Sequence, residues 1–333
     1  MTPTHTTTQI DQPPVAPRRQ PEPSLRQKLL APAVMFAVFW ILAIVMWRAT
    51  GAVFFLFNFG YIGTSVAAGM GLLAVLPRKK KHIGRRLTLF LVGGYMLGLL
   101  GLVGRENMQI EGFFLYLLAG FFAGATIHYA VAKVFGPLVF GRAWCGWACW
   151  TVMMLDLLPY SKSPGRLSHK WGWLRYAHFA LSLGLVAALW FGFGYRVDIR
   201  NRLPDLYWLL VGNGLYYGVG IALAVTLRDN RAFCKYVCPI TALLKLTSRF
   251  SLLKIRGKAD ACTDCGACAK QCPMDIRIPE YVKAGRRVLS TECILCETCI
   301  NVCPARALSL SFGFDLGGRE LLAQREARRH SGG

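Results

Sequence analysis

Charge is scarce in this chain, and acid is scarcer than base. Charged residues make up 17% of the 333 residues, and 39 lysines and arginines stand against only 17 aspartates and glutamates. With 54% hydrophobic residues, this composition excludes an ordinary soluble globular protein. A net charge of +22 would suit nucleic acid, yet no separate basic domain carries it. The basic residues flank apolar runs instead, as at the cytoplasmic ends of membrane helices, so no nucleic-acid partner is expected. No cysteine is left over: all twelve fall into four spaced motifs. That excludes the short, loop-rich disulfide scaffold of a secreted protein. The length suits one membrane domain and one small soluble domain.

Residues 1–24 are rich in Thr, Pro and Gln without apolar periodicity, and read as a disordered cytoplasmic tail. Arg18 and Arg19 form a twin arginine, but Gln20, Pro21, Glu22 and Pro23 follow where an export signal needs apolar residues. The run Leu29–Trp47 is long enough to span a membrane and lacks a small-residue cleavage site, so it reads as an anchor. About six spans are expected: Leu29–Trp47, Val53–Leu76, Leu87–Val103, Phe113–Phe140, Tyr176–Gly194 and Leu206–Leu227. Lysine and arginine concentrate in the tail, in the loop at Arg78–Arg86, in the loop at Arg142–Arg175 and after Leu227. This places both termini and all the cysteines at the cytoplasmic side of a bacterial inner membrane, with lipid as surroundings. Glycine pairs four apart (Gly94/Gly98, Gly120/Gly124, Gly214/Gly218) predict close helix packing.

An internal repeat emerges: Arg142-Ala143-Trp144-Cys145-Gly146-Trp147-Ala148-Cys149 matches Arg231-Ala232-Phe233-Cys234-Lys235-Tyr236-Val237-Cys238. Each copy follows a pair of spans. The expected division is an amino-terminal hairpin (25–86), a four-span domain with the two repeated motifs (87–250), an α+β ferredoxin-like domain (251–311) and a tail (312–333). That tail is expected to end in a basic helix around Arg319 to Arg329.

The carboxyl-terminal cysteines form two full runs, Cys262-x₂-Cys265-x₂-Cys268-x₃-Cys272-Pro273 and Cys293-x₂-Cys296-x₂-Cys299-x₃-Cys303-Pro304. Such spacing wraps three thiolates around one 4Fe-4S cluster, and the fourth cysteine crosses to the other. Cys262, Cys265, Cys268 and Cys303 are thus assigned one cluster, and Cys293, Cys296, Cys299 and Cys272 the second. Ile276, Ile278 and Val288 would supply part of the core. Zinc is the competing reading, but zinc sites usually lack the third cysteine and the Cys-Pro. Each shorter pair offers only two thiolates. As repeat mates, Cys145, Cys149, Cys234 and Cys238 can share a third cluster at the membrane face, shielded by Trp144, Trp147, Phe233 and Tyr236. Cu(I) or an exchangeable dithiol competes for these four.

Ionisable residues inside spans are functional candidates. His128 and His178 are each open to a quinol hydrogen bond, to haem, or to a neighbouring helix. Glu106 and Glu111 are expected to cap the outer ends of spans three and four, where a carboxylate can accept a quinol proton. Asp156 is expected to face the cytoplasm.

The two motif copies (the second closed by Pro239) and the tandem runs after them resemble the membrane polyferredoxins of the NapH, NosR and CcoG type, over residues 87–311. Neither the extra flavin domain of the NosR type nor the extra domain of the CcoG type fits, so NapH-like proteins are the nearest. The resemblance implies electron transfer from membrane quinol, through the clusters, to a partner redox protein. The CcoG type implies the alternative, an accessory factor that reduces or hands over copper for a respiratory enzyme. Two departures stand out: Trp150 occupies the position where the family has proline, and the hairpin of residues 29–76 is additional.

Overall fold

The protein is described here by a computed structural model, in which residues 24–325 are placed apart from 123, 199 and 319. The expected amino-terminal tail therefore lies almost wholly outside the described residues, as does the end of the expected basic helix.

The helix α1 (Leu25–Thr50) opens on a reciprocal cap, with the Ser24 hydroxyl accepting from the Gln27 N–H and the Gln27 side chain accepting from the Ser24 N–H. It closes on Gly51 in the left-handed region, and returns as α2 (Val53–Val75). Next come α3 (Arg78–Val103), α4 (Ile110–Leu118) and α5 (Gly124–Phe140). The short helices α6 (Ala143–Trp147) and α7 (Trp150–Leu155) follow. Two long helices, α8 (Lys170–Gly192) and α9 (Leu203–Leu227), complete the bundle. Then come α10 (Ala232–Tyr236) and α11 (Ile240–Ser248).

Five of these helices are long and apolar enough to cross a membrane, and a sixth crossing arises if α5 and α6–α7, bent by 105°, count as one. Most of α1 faces outward, with only 11% of its apolar window buried, as suits a helix in lipid. Helices α2 and α3 meet through glycine. A Cβ on Gly69 would lie 1.7 Å from Thr88 Oγ1, and one on Gly84 would lie 2.4 Å from the Gly69 carbonyl. The glycine pairs singled out in the sequence do other things. Gly94, Gly98, Gly214 and Gly218 meet no neighbour, and Gly120 (φ +65°) makes a turn.

That turn corrects the fourth expected span. Phe113–Phe140 is not one helix, because α4 stops at Leu118 and the chain turns at Ala119 and Gly120 before α5 begins. Nine residues rise only about 13 Å, too little to cross a bilayer. After α3 ends, the chain dips back into the bundle through Glu106–Ile110, all buried, and α4 returns it. Contacts fix the depth. Glu106 and Tyr116 reach Arg202, just before α9, whereas Gln109 packs on Gly212 and Glu111 on Ser182, both well inside their helices. Glu111 therefore does not cap an outer end.

Among the described residues the carboxyl-terminal part holds one antiparallel strand pair, β1 (Leu253–Gly257) with β2 (Leu308–Phe312), in register from Leu253↔Phe312 to Gly257↔Leu308. Between them lie α12 (Ala267–Lys270), α13 (Ile278–Lys283) and α14 (Thr298–Val302). Ile276, Ile278 and Val288 join Ile255 and Tyr281 in one buried core, each no more than 2% exposed. Its last described stretch is no helix. Residues 320–325 run extended, with Arg277 N–H donating to the Leu321 carbonyl and Arg325 N–H to the Arg166 carbonyl. They form a strap between the ferredoxin part and the loop before α8.

Candidate cofactor sites and a membrane cavity

The two ferredoxin runs build the same backbone twice. Asp264 and Gly266 flank Cys265 with positive φ, as Leu295 and Glu297 flank Cys296. Asp275 and Arg306, each three residues after the last cysteine of its run, repeat the match. Left-handed residues of this kind curl a loop tightly, so that its thiols point inward. Cys262, Cys265, Cys268 and Cys303 line one cavity; Cys272, Cys293, Cys296 and Cys299 line another. The grouping is the crossed one, each fourth cysteine with the other run.

Burial pushes the Cys272 and Cys293 thiols up to about 12, and Cys268 up to about 11. A bare thiolate there is costly, so these sulfurs suit positive metal rather than free thiolate chemistry. Backbone N–H groups of Ile276 and Met274 point at Cys272, and that of Leu295 at Cys293. Among the described residues no three His, Cys, Asp or Glu side chains close on one point as around a single ion. Four thiols spread around a cavity suit a polynuclear cluster better than zinc.

The repeated pairs come together as well. Arg142 and Arg231 cap α6 and α10 with similar dihedrals (−93°, 27° and −104°, 8°). Cys234 and Cys238 each face Cys145 and Cys149 electrostatically, and Cys149 and Cys234 share an apolar group with Leu89 and Val152. Burial pushes Cys238 up to about 12, and Cys234 higher still. Trp144, Trp147, Phe233 and Tyr236 are all buried, and Phe233 packs in one apolar group with Cys238. A residue passed over in the sequence stands beside this set: Lys133, in α5, is 2% exposed. Its ammonium lies 5.1 Å from the Trp144 ring, and its charge faces Cys145, Cys149 and Cys238. A lone lysine in an apolar run was the available signal.

Ion pairs tie this site to the ferredoxin part. Glu292, beside Cys293, takes Arg142 at 2.8 Å, Arg166 and Arg175 at 2.9 Å, and Lys245 at 2.8 Å. Burial opposes its ionisation, but Arg166, Arg142, Lys245 and Arg175 hold it well below the ordinary carboxylate range. Asp156 is not a solvated acid: it is buried between Arg231 at 2.8 Å and Arg85 at 2.9 Å. Gly146 packs so closely on the Ile294 carbonyl that a Cβ would sit 2.4 Å from it, and Trp147 Nε1 donates to the Leu295 carbonyl at 2.9 Å. Lys235 bonds Asp275 at 2.5 Å and Asp229 at 2.7 Å.

Between α8 and α9 lies a cavity of about 360 Å³, floored by Phe233 and Val237 and walled by Gln109 and Glu111. Leu181, Leu185, Val211 and Leu215 on its rim are exposed, so it opens sideways where lipid would lie. His178 and Glu111 both line it; His128 does not. His178 Nδ1 is 2.9 Å from the Val237 carbonyl, which only accepts, so Nδ1 carries the proton and Nε2 is left to accept. Ser182 Oγ donates to Glu111 Oε1 at 2.5 Å. His128 packs edge-on against Trp144, with ring centroids 4.7 Å apart, and its Nε2 finds no hydrogen-bond partner among the described residues.

Comparison with known proteins agrees with this arrangement. A 4Fe-4S dicluster domain matches residues 261–308, and a 4Fe-4S binding domain matches 113–173 and 214–258, one motif copy in each piece. YccM of Escherichia coli K12, named as an electron transport protein, is 29% identical over 198 residues, covering 55% of this chain and 54% of YccM. The methylamine utilization ferredoxin-type protein MauN of Paracoccus denitrificans is 29% identical over 60% of this chain and 71% of its own. The ferredoxin-type protein NapH of Haemophilus influenzae is 26% identical over 57% and 69%. The chain thus spans about half the length of YccM. No solved structure matches. By its 4Fe-4S domains and its ferredoxin-type relatives the chain is similar to the NapH-like polyferredoxins.

Proposed function

We propose that this NapH-like polyferredoxin takes electrons from membrane quinol at the cavity between α8 and α9 and passes them to a partner redox protein. The observation that carries the reading is adjacency. The cavity is floored by Phe233 and Val237, from the same motif copy as Cys234 and Cys238. That thiol set in turn abuts Ile294 and Leu295, which lie between Cys293 and Cys296.

Each thiol set fits a 4Fe-4S cluster: Cys145, Cys149, Cys234 and Cys238 at the membrane face, then Cys272, Cys293, Cys296 and Cys299, then Cys262, Cys265, Cys268 and Cys303. Bound there, the clusters would accept and pass single electrons, so a series of them separates the electron pair of a quinol. Four thiols gathered in one place favour a cluster over two separate copper-handling pairs.

The chain's own residues do the rest. The apolar rim admits a lipid-soluble ring sideways, and Phe233 and Tyr216 wall it in. His178 Nε2 accepts one quinol hydroxyl proton while its Nδ1–H stays on the Val237 carbonyl, one residue before Cys238. The Glu111 carboxylate, held by Ser182, accepts the other. Two protons and two electrons thus leave the quinol, giving the quinone. Lys133 sets positive charge against the membrane-face thiolates. The proposed setting is the bacterial inner membrane, with the ferredoxin part cytoplasmic.

The test is anaerobic reduction of the clusters followed by absorbance. Glu111→Gln and His178→Ala should each slow quinol-driven bleaching by roughly 10²-fold, leaving dithionite-driven bleaching intact. Unchanged quinol rates in both variants would remove this cavity from the reaction.

A further inference from the structure

The segment that dips into the bundle carries an acid at each end. Glu111 lines the cavity. Glu106 lies at the end of the bundle away from the cysteines, accepting from the Ala125 N–H at 2.7 Å and facing Arg202 Nη1 at 3.6 Å. That end is fixed by the helices. Arg202 precedes α9, whose other end leads into Arg231 and Cys234, and α3 starts beside Asp156 and runs away from it to Gly104.

Between the two acids stand Asn107 and Gln109, 0% and 2% exposed. Asn107 Nδ2 and Gln109 Nε2 have no hydrogen-bond partner among the described residues, and Gln109 itself lines the cavity. At the far end Arg202 Nε and Asp205 Oδ2 face each other as an ion pair at 3.8 Å. Buried unpaired donors cost about 1–3 kcal/mol each, so a packed apolar bundle does not keep two of them two residues apart without use. They form a graded polar line through an apolar interior. Asn107 Oδ1 accepts from the Gln109 N–H at 3.1 Å, and the Asn107 N–H donates to the Tyr116 hydroxyl at 2.9 Å. Tyr116 lies in turn 3.5 Å from Arg202 Nη2. Buried amide N–H groups without a protein partner are where ordered water binds, and ordered water relays protons.

We propose that the segment Glu106–Glu111 conducts the protons of the oxidised quinol from the cavity to the membrane face opposite the ferredoxin part. The proposal rests on the quinol reading above. Each quinol gives two electrons to the thiol-lined sites on one side and two protons to the other: the first runs by way of Glu111, Gln109, Asn107 and Glu106, and the second follows the same route once His178 has passed it across the cavity to Glu111. Oxidation thereby separates charge across the membrane, with no proton pumped beyond those the quinol releases.

The experiment uses the full chain, loaded with its clusters, in vesicles that enclose a pH-sensitive dye. Decylubiquinol is added, with impermeant ferricyanide outside as the one-electron oxidant and valinomycin with potassium to collapse the potential. Ferricyanide draws electrons only from molecules whose ferredoxin part faces out, so vesicle orientation sorts itself. The expected result is acidification of the lumen by two protons per quinol. Acidification of the outer medium alone, with ferricyanide still reduced above protein-free vesicles, would overturn the route and leave the quinol reading standing. Absence of quinol-dependent ferricyanide reduction would fell both. Glu106→Gln, which keeps the hydrogen bond from Ala125, should slow lumenal acidification roughly tenfold with dithionite-reduced spectra unchanged. An unaltered rate in that variant would exclude Glu106 from the route.

Discussion

In the first motif copy the residue after the leading cysteine is Gly146, whose bare backbone meets the Ile294 carbonyl; in the second it is Lys235, whose ammonium reaches Asp229 and Asp275. The framework around these two residues is the same. Each copy has an arginine cap, a five-residue helix and a turn closed by an N–H bond to the aromatic residue's carbonyl, at 2.9 Å in both. Repetition supplies the four thiols, and divergence supplies the docking. Both copies clasp one thiol set, since Ile294 and Leu295 lie between Cys293 and Cys296, and Asp275 follows Cys272. Among the described residues, none from either copy lines the Cys262 cavity.

The largest expected effect would break the claim that the copies share a site. Cys145→Ser and Cys234→Ser should each lose about four of some twelve irons, and the double variant no more than either single one. Iron and sulfide analysis with EPR reads this directly. Losses that add in the double variant would mean two separate sites. Next in size is the docking contrast. Lys235→Met strands Asp229 and Asp275 without their buried partner, at about 3–5 kcal/mol. Gly146→Ala forces a Cβ against a carbonyl, at about 1–3 kcal/mol. Hydrogen exchange should show looser protection around Cys293 in both variants, more so for Lys235→Met. The reverse order would mean that the close glycine contact, and not the ion pair, holds the ferredoxin part.

How far the sequence reached follows the same division between local and distant. Cysteine spacing is a local property, so the four motifs were legible residue by residue, and the repeat marked its two pairs as mates. The break in the fourth span was not. Leu115 to Ala125 is apolar throughout, and a glycine at φ +65° is silent when its neighbours look like any membrane helix. Hydropathy alone therefore placed Glu111 at an outer end, when the dip of the chain sets it beside His178. Arg142, Arg166 and Arg175 counted as flanking charge, although all three converge with Lys245 on Glu292, more than forty positions away in sequence. Nothing in a charge count marks one acid as the partner of four cations.

The smallest effect sharpens the comparison at its last difference, Trp150 against Pro239. Cys149 has φ −75° and ψ 121°, an extended conformation that already suits a residue before proline. Its backbone therefore does not need the tryptophan. The side chain does the distinguishing, because Trp150 Nε1 donates to Asn213 Oδ1 at 3.0 Å and so ties the first copy to the middle of α9. Trp150→Phe should lower thermal stability by about 1–3 kcal/mol, by leaving that amide oxygen buried and unpaired, and should keep the full iron content. Trp150→Pro should keep the iron as well and lose at least as much stability. If the proline variant sheds iron while the phenylalanine variant does not, the two copies differ in backbone after all, and the likeness between them ends at their second cysteines.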